Sequence, residues 1–367
     1  MRIAILTVYH CRDACGGAEY RLCLTAQGLA KLGHQVHYIC ISPNTAERFT
    51  EGIHVVPIKA RTLSRRWGPN YFLYRSEILR ALDSIRPDAI YQSVANAFTG
   101  IAASYARQND CRMVWHVASE SDVRPRRLMS VHSALFDYID RRWTEYGIRS
   151  SDVIIGQARY QDRLLESNYG RRCDLIVGTP HPAPTEPIVK TDPVTVVWIA
   201  NLKPLKQPEI FLRLVRELGE CQDARFIMIG RPACGSYQRQ LESDMVGLKN
   251  FSYLREWPIQ DVNQVLVRSH VLVNTSRYEG FPNTFIQAWF RRVPVVSLNV
   301  DPDDVLKTNG LGFHSVSFRS LVQDVKRLIE DRELRESIGQ RAQKHAVLHH
   351  SMGPNIAKIV PFLADAN

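Results

Sequence analysis

Residues 276–297 read Ser-Arg-Tyr-Glu-Gly-Phe-Pro-Asn-Thr-Phe-Ile-Gln-Ala-Trp-Phe-Arg-Arg-Val-Pro-Val-Val-Ser, directly after the apolar run Val271-Leu-Val-Asn-Thr275. The run reads as a buried strand, Asn283 opens a helical stretch, and a second strand follows Pro294. Glu279 therefore stands just past the carboxyl end of a buried strand, the edge where open α/β sheets place ligands. The first amides of the following helix, at Asn283 and Thr284, favour an anion there. A carboxylate beside an anion-binding helix start suits a sugar joined to a diphosphate.

Working outward, the same strand–helix rhythm recurs along the chain. Strands are expected near 2–8, 34–42, 53–58, 89–94, 112–117, 152–157 and 174–178, with helices near 18–32, 71–86, 97–108, 127–147 and 158–169. After a break, strands are expected near 195–200, 225–230, 251–254, 271–275 and 294–298, with helices near 207–219, 236–247, 259–269, 283–292 and 319–346. Short buried strands alternating with amphipathic helices mean parallel, doubly wound sheets. The break is Thr179-Pro-His-Pro-Ala-Pro-Thr-Glu-Pro187, where proline removes donors and fixes φ, and it reads as an interdomain linker. A helical pattern follows Gly353-Pro354 near the end.

Composition fits two ordinary domains. The chain has 367 residues, too many for one typical core, with 45% apolar and 23% charged residues. No apolar run reaches the length of a membrane span. The opening Met1-Arg-Ile-Ala-Ile-Leu-Thr-Val8 lacks a small-residue cleavage site and reads as a first strand rather than a leader. Eight scattered cysteines with no Cys-x-x-Cys pair read as free thiols of a reducing cytosol. His349-His350 reads as a surface pair.

The net charge of +10 needs an anionic partner, and no nucleic-acid-binding motif is present. Arg61, Arg65, Arg66 and Arg75 interleave with Trp67, Tyr71, Phe72 and Tyr74, and Arg124, Arg126 and Arg127 precede a helix ending near Arg141, Arg142 and Trp143. Basic residues beside aromatics suit an anionic membrane surface. A solvated helix face with its aromatics in the core is the competing reading.

Four further strand ends carry chemistry-bearing residues. Cys15-Gly-Gly-Ala-Glu19 puts two glycines at a strand-to-helix turn, which permits close backbone approach to a ligand. It is not a Gly-x-Gly-x-x-Gly, which argues against a nicotinamide enzyme. Arg112-Met-Val-Trp-His-Val-Ala-Ser-Glu-Ser-Asp122 brings His116 to a strand end. Glu120 and Asp122 at its rim read as solvated loop acids. Thr195-Val-Val-Trp-Ile-Ala200 runs into Asn201-Leu-Lys-Pro-Leu-Lys-Gln-Pro208, and Ile229-Gly-Arg-Pro232 places Arg231 at the same edge. Lys206, just before a helix start with Pro208 in its first turn, reads as a phosphate ligand.

Together these segments resemble the family-four retaining glycosyltransferases of glycosyltransferase group 1. The resemblance implies a GT-B fold, α/β, with two doubly wound Rossmann-like domains facing each other across a deep cleft. It implies an acceptor-binding domain over 1–180, completed by a C-terminal helix at about 351–367, and a nucleotide-sugar-binding domain over 193–347. Carried over residue by residue, Glu279 takes the first position of the donor-sugar signature and Gln287 the second, where the family has Glu. Pro282 stands in the Gly-Phe-Gly-like turn after Phe281. Gly16 and Gly17 match a loop near the donor diphosphate, and His116 a histidine that faces the donor sugar. Lys206 matches the lysine that neutralises the leaving diphosphate, Asn201 replaces the usual arginine, and Lys203 can supply the missing charge. Arg231 would touch phosphate or base, and 254–257 would hold the base.

The activity so implied is retaining, metal-independent transfer of a hexose-like group from a nucleoside diphosphate sugar, UDP- or GDP-linked, with no cofactor. The acceptor expected is a lipid-linked saccharide of surface polysaccharide assembly, at the cytoplasmic, inner face of a membrane. The alternative, motivated by Asn201 and Gln287, is a catalytically weakened nucleotide-sugar-binding or partner subunit of the same fold.

Overall fold

The computed structural model describes every residue except 11–15, 43–47, 51, 61–70, 126–133, 222 and 365–367, and the side chains at 48, 50 and 134. Parts of both basic–aromatic clusters, Arg61, Arg65, Arg66, Trp67, Arg126 and Arg127, lie outside the described residues.

The chain forms two compact units, residues 1–182 with 352–367, and residues 183–351. In the first, runs of Ile, Val and Tyr make strands β1 (Arg2–Tyr9), β2 (Gln35–Ser42), β3 (Arg48–Thr50), β4 (Ile53–Lys59), β5 (Ala89–Ser93), β6 (Arg112–His116), β7 (Val153–Gly156) and β8 (Leu175–Ile176). Their order is β3-β4-β2-β1-β5-β6-β7-β8, parallel except for the edge pair β3–β4. Helices α1 (Gly17–Lys31), α2 (Arg75–Ile85), α3 (Ala97–Ala106), α4 (Ala134–Ser150) and α5 (Arg159–Tyr169) connect them. All five residues of β5 are buried, as expected of a parallel strand covered on both faces.

Two apolar layers fill this unit. One includes Leu6, Ile90, Phe98 and Trp115, and the other Ile3, Leu22, Tyr38 and Tyr91. The second layer is completed by Ile356, Ile359 and Leu363, from helix α13 (Met352–Ile359) and the turn after it. A Cβ on Gly28 of α1 would come within 2.5 Å of Ile356 Cγ1, so the glycine makes room for the returning helix. The same logic brings α3 and α4 together, since a Cβ on Gly100 would sit 2.2 Å from the Trp143 carbonyl oxygen.

The second unit is one parallel sheet of order β11-β10-β9-β12-β13-β14. Its strands are β9 (Val194–Ile199), β10 (Ala224–Ile229), β11 (Phe251–Tyr253), β12 (Val271–Asn274), β13 (Val295–Ser297) and β14 (Gly312–His314). In order of appearance this is 3-2-1-4-5-6, which reverses direction between β9 and β12. Its helices are α6 (Pro208–Leu218), α7 (Gly235–Met245), α8 (Ile259–Arg268), α9 (Asn283–Phe290), α10 (Val305–Asn309), α11 (Phe318–Glu330) and α12 (Arg332–His350).

Several expectations need correction. The helix expected over 319–346 is two helices, because Asp331 caps the second with its carboxylate on the Leu334 amide at 2.9 Å. Strands β3 and β14 and helix α10 were not anticipated. His350 is 3% exposed and belongs to the interior, although its neighbour His349 is exposed. Cys23 is disulfide-bonded and departs from the all-thiol reading, while Cys40, Cys111, Cys173, Cys221 and Cys234 are free.

The described part of the basic–aromatic clusters turns its rings inward. Tyr71 and Tyr74 pack against Phe98, Phe72 against Trp143, and Arg75 lies over the Trp143 ring. Among the described residues no helix is long and apolar enough to cross a membrane.

Candidate functional site

The point where the second sheet reverses direction is built by two strand ends. Trp198 of β9 donates its indole N–H to Thr275 Oγ1 at 2.8 Å, just past β12. The Thr275 hydroxyl then faces the carbonyls of Lys206 at 2.7 Å and Gln207 at 2.9 Å. The Arg277 amide donates to the Leu205 carbonyl at 2.9 Å. These bonds lock the segment after β9 against the segment after β12. Within the first, Pro204–Lys206 forms a single tight turn, entered by the Lys206 amide bonding the Lys203 carbonyl at 2.8 Å. Gln207 then takes φ of +49° so that α6 can begin at Pro208.

The result is that Lys206 and Glu279 meet. Lys206 Nζ is ion-paired with Glu279 Oε1, and Ser276 Oγ donates to the same oxygen at 2.7 Å. The two side chains are 21% and 18% exposed, so the pair is mostly desolvated but still open to solvent. Asn299, after β13, fixes the Ser276 carbonyl at 3.2 Å.

The other proposed donor residues surround this pair unevenly. Asn201 is half-buried at the end of β9, and its carbonyl accepts the Lys203 amide at 2.8 Å, while Lys203 itself is exposed. The backbone of Arg231 joins the loop, its carbonyl accepting the Leu202 amide at 2.9 Å. The Arg231 side chain, however, forks onto Glu256 at 2.6–3.0 Å and is spent in an exposed ion pair. Gly230 before it takes φ of +159°, and a Cβ there would lie 1.7 Å from the Ala200 carbonyl oxygen. Only glycine lets the ends of β9 and β10 approach this closely.

Pro282 is the residue before α9, whose N-terminus has no side-chain cap, with Asn283 and Thr284 half-buried in its first turn. Phe281 rests on Trp289 and His350. Gln287 is 2% exposed and donates its amide to Asn263 Oδ1 of α8 at 3.0 Å. Its amide group thus links α9 to α8.

In the first unit the reversal lies between β1 and β5. Gly16 is the residue before α1 and Gly17 its first residue, again with no side-chain cap. His116, at the end of β6, is fully buried, with Nδ1 against the Tyr91 hydroxyl and Nε2 without a hydrogen-bond partner. Burial, with the Arg21 charge second, holds its imidazole well below the usual value, so it is neutral. The ring expected to face the donor sugar is thus held from its Nδ1 side by Tyr91. Arg21 of α1, also buried, donates to the Val117 carbonyl at 3.1 Å and to Ser93 Oγ, and Ser93 Oγ donates to the His116 carbonyl at 2.8 Å. Asp122 accepts the amides of Ala118 and Ser119 at 2.7 and 3.1 Å and is 5% exposed, so it is a structural acid rather than a solvated one.

Sequence reasoning missed Trp198, Thr275, Ser276 and Asn299 around the ion pair, and Arg21, Tyr91 and Ser93 around His116. Trp198, Thr275 and Ser276 lay inside segments already singled out, but none was given a role.

Comparison with known proteins agrees with this fold. Residues 15–219 match the model of Glycosyltransferase Family 4, more than half of the chain, and residues 193–331 match Glycosyl transferases group 1. A Xenopus tropicalis protein, Glycosyltransferase 1 domain-containing protein 1, is 24% identical over 157 residues. That match spans 42% of this chain and 46% of the frog protein, so the chain covers about half the length of that relative. Among solved structures, Anabaena HepE in complex with UDP superposes with a TM-score of 0.74 at 16% identity, over 99% of both chains. Sucrose-phosphate synthase from Thermosynechococcus elongatus gives 0.73 at 13% identity, over 98% of this chain and 97% of its own. The lipopolysaccharide outer core galactosyltransferase WaaB gives 0.65 at 16% identity, over 99% of both. At these identities the likeness is one of fold, the GT-B type.

Proposed function

The chain belongs to glycosyltransferase family 4, and from that premise we propose that it moves a sugar from a UDP- or GDP-linked donor to an acceptor hydroxyl, with retention and without a metal. The observation that carries this reading is the Lys206–Glu279 pair at the direction reversal of the second sheet, in the segment that leads into α9. As the glycosidic bond breaks, negative charge gathers on the departing diphosphate oxygen. A fixed ammonium and helix amides aimed at it lower the barrier. Lys206 supplies the ammonium, with Lys203 as the nearby second cation. The amides of Asn283 and Thr284 supply the dipole end. Glu279, held by Ser276, accepts hydrogen bonds from the sugar hydroxyls. His116, buried and neutral, organises the first unit's strand ends from within.

Support for the donor comes from HepE, which was crystallised with UDP and with UDP-glucose. Support for a saccharide acceptor at the cell surface comes from WaaB, named for the lipopolysaccharide outer core. The acceptor we propose is a lipid-linked saccharide, taken by the first unit at the inner face of a membrane. The second reading, a weakened binding subunit, is favoured by one observation, the engagement of Gln287 with Asn263.

A melting screen with UDP, GDP and their sugars tests the donor, since a ligand at 100 times its dissociation constant raises stability by about 2.7 kcal/mol. Transfer assays then separate the two readings, as a weakened subunit binds donor and turns nothing over. Activity is expected to persist in excess chelator. Activity that vanishes there and returns only with a divalent ion would overturn the metal-free reading.

A further inference from the structure

Glu279 is held from one side by Ser276 and Lys206. What backs the turn on its other side is an aromatic cluster. Phe281, two residues on, has its ring centroid 6.0 Å from Trp289 at 77° and 5.1 Å from His350 at 49°. Trp289, fully buried near the end of α9, lies 6.0 Å from His350 and 5.4 Å from His345. His345 in turn lies 4.4 Å from His349 and 5.9 Å from His350. Burial, then the neighbouring His349, pushes the His345 imidazole down to about 4, so at neutral pH this ring is uncharged.

Helix α12 reaches this position because Gln343 bridges to α9, accepting from Arg292 Nε at 2.8 Å and donating to the Phe290 carbonyl at 3.3 Å. Gly339 lets α12 pass the Arg292 carbonyl, where a Cβ would sit 2.4 Å away. His350 is the last residue of α12, and the second unit ends one residue later.

We propose that Phe281 and His350 are positioning residues: their ring contact holds the turn that carries Glu279, and so ties the reacting carboxylate to the place where the chain leaves the unit. Gly280 has no side chain to add to this packing, so Phe281 braces the turn through its ring's contacts with Trp289 and His350. The proposal rests on the function given above for its catalytic consequence. Its structural half stands independently.

Hydrogen exchange on the full chain tests the structural half without requiring activity. His350→Ala and Phe281→Leu are expected to speed exchange of the amides at 278–285 by about tenfold or more, with the amides of β9 and β10 unchanged. The second variant changes only a half-buried ring and guards against loss of folding in the first. Unchanged exchange at 278–285 in both, or an equal rise everywhere, would overturn the proposal. Kinetics then test the consequence. In both variants kcat should fall about fivefold or more while nucleoside diphosphate affinity stays within about twofold, and His350→Phe should recover most of the loss by restoring the ring. A wild-type chain that transfers nothing, with exchange behaving as expected, would sink the functional reading and leave the positioning role intact.

Discussion

At the scale of single residues, two charged side chains carry the site, and each has a defined consequence when removed. Charge-assisted hydrogen bonds contribute roughly 1.5–3 kcal/mol. Lys206→Ala and Glu279→Ala should therefore each lower kcat/KM by about ten- to a hundredfold. The double variant should lose less than the product, because the two groups are partners. Rates on purified variants with matched circular dichroism check this, and near-normal rates in both would remove the site. Gln287→Glu tests a different point. Its amide is buried on Asn263, so a carboxylate there should cost about 1–3 kcal/mol of stability and leave donor affinity unimproved. A melting curve and a donor titration decide it, and tighter donor binding would place the residue at the ligand after all. Lys206 and Glu279 were legible in the sequence because glycine and proline punctuate the ends of apolar strands on which they sit. The bonds from Trp198 to Thr275 and from Arg21 to Ser93 were not, because partners 77 and 72 residues apart leave no local pattern. Nor does a strand-end histidine disclose which way its ring turns, and His116 turns toward Tyr91.

At the scale of elements, most strands were readable from runs of Val and Ile, and their bounds moved by only a residue or two. Strand β14 and helix α10 are three and five residues long, too short for a period to register. The break at Asp331 was hidden because the apolar period continues from Leu328 and Ile329 to Ile338. One junction between elements gives a pH-dependent outcome. His270, immediately before β12, accepts the Thr195 amide of β9 on Nδ1 at 3.0 Å. Burial, then the charges of Lys190 and Arg335, push its imidazole down to about 4. An unfolded imidazole titrates near 6.5. Below that value the unfolded chain takes up a proton that the folded chain refuses, and at full protonation the bond to Thr195 is lost. The stabilisation is therefore complete above pH 6.5 and disappears as pH falls toward 4. Melting temperature should drop across that window in wild type. The drop should be shallower in His270→Asn, whose side-chain oxygen can accept the same amide without titrating. Identical slopes in the two proteins would show that other groups govern the acid limb.

At the scale of the whole molecule, two parallel sheets were foreseeable from the doubled strand–helix rhythm and the proline-rich break. The return of the last helix was implied by the family resemblance alone, and the two strand orders were not anticipated. The membrane-facing expectation meets a more restrained surface than the residue list suggested. Tyr71, Phe72, Tyr74 and Trp143 pack inward, and Arg124, Arg141 and Arg142 have Glu120 and Glu145 as partners. On the outer face of α4, Leu135 and Tyr138 remain 68% and 54% exposed, about two turns and one turn before Arg142. Flotation with anionic vesicles is expected at low salt and should vanish near physiological ionic strength, where exposed charges are screened over about 8 Å. Absence from anionic and neutral lipid alike at low salt would point to a soluble acceptor. The return of the chain at Met352 has a consequence for biosynthesis. Most of the first unit is made before the second, but the wall supplied by Ile356, Ile359 and Leu363, and the bond from Arg112 to the Phe362 carbonyl at 3.1 Å, come from residues translated after the whole second unit. The second unit is one continuous stretch and can close as soon as it is made. Maturation thus runs opposite to synthesis: the unit made second is finished first, and the nascent first unit must stay soluble with an apolar face uncovered until residues 352–363 have been made.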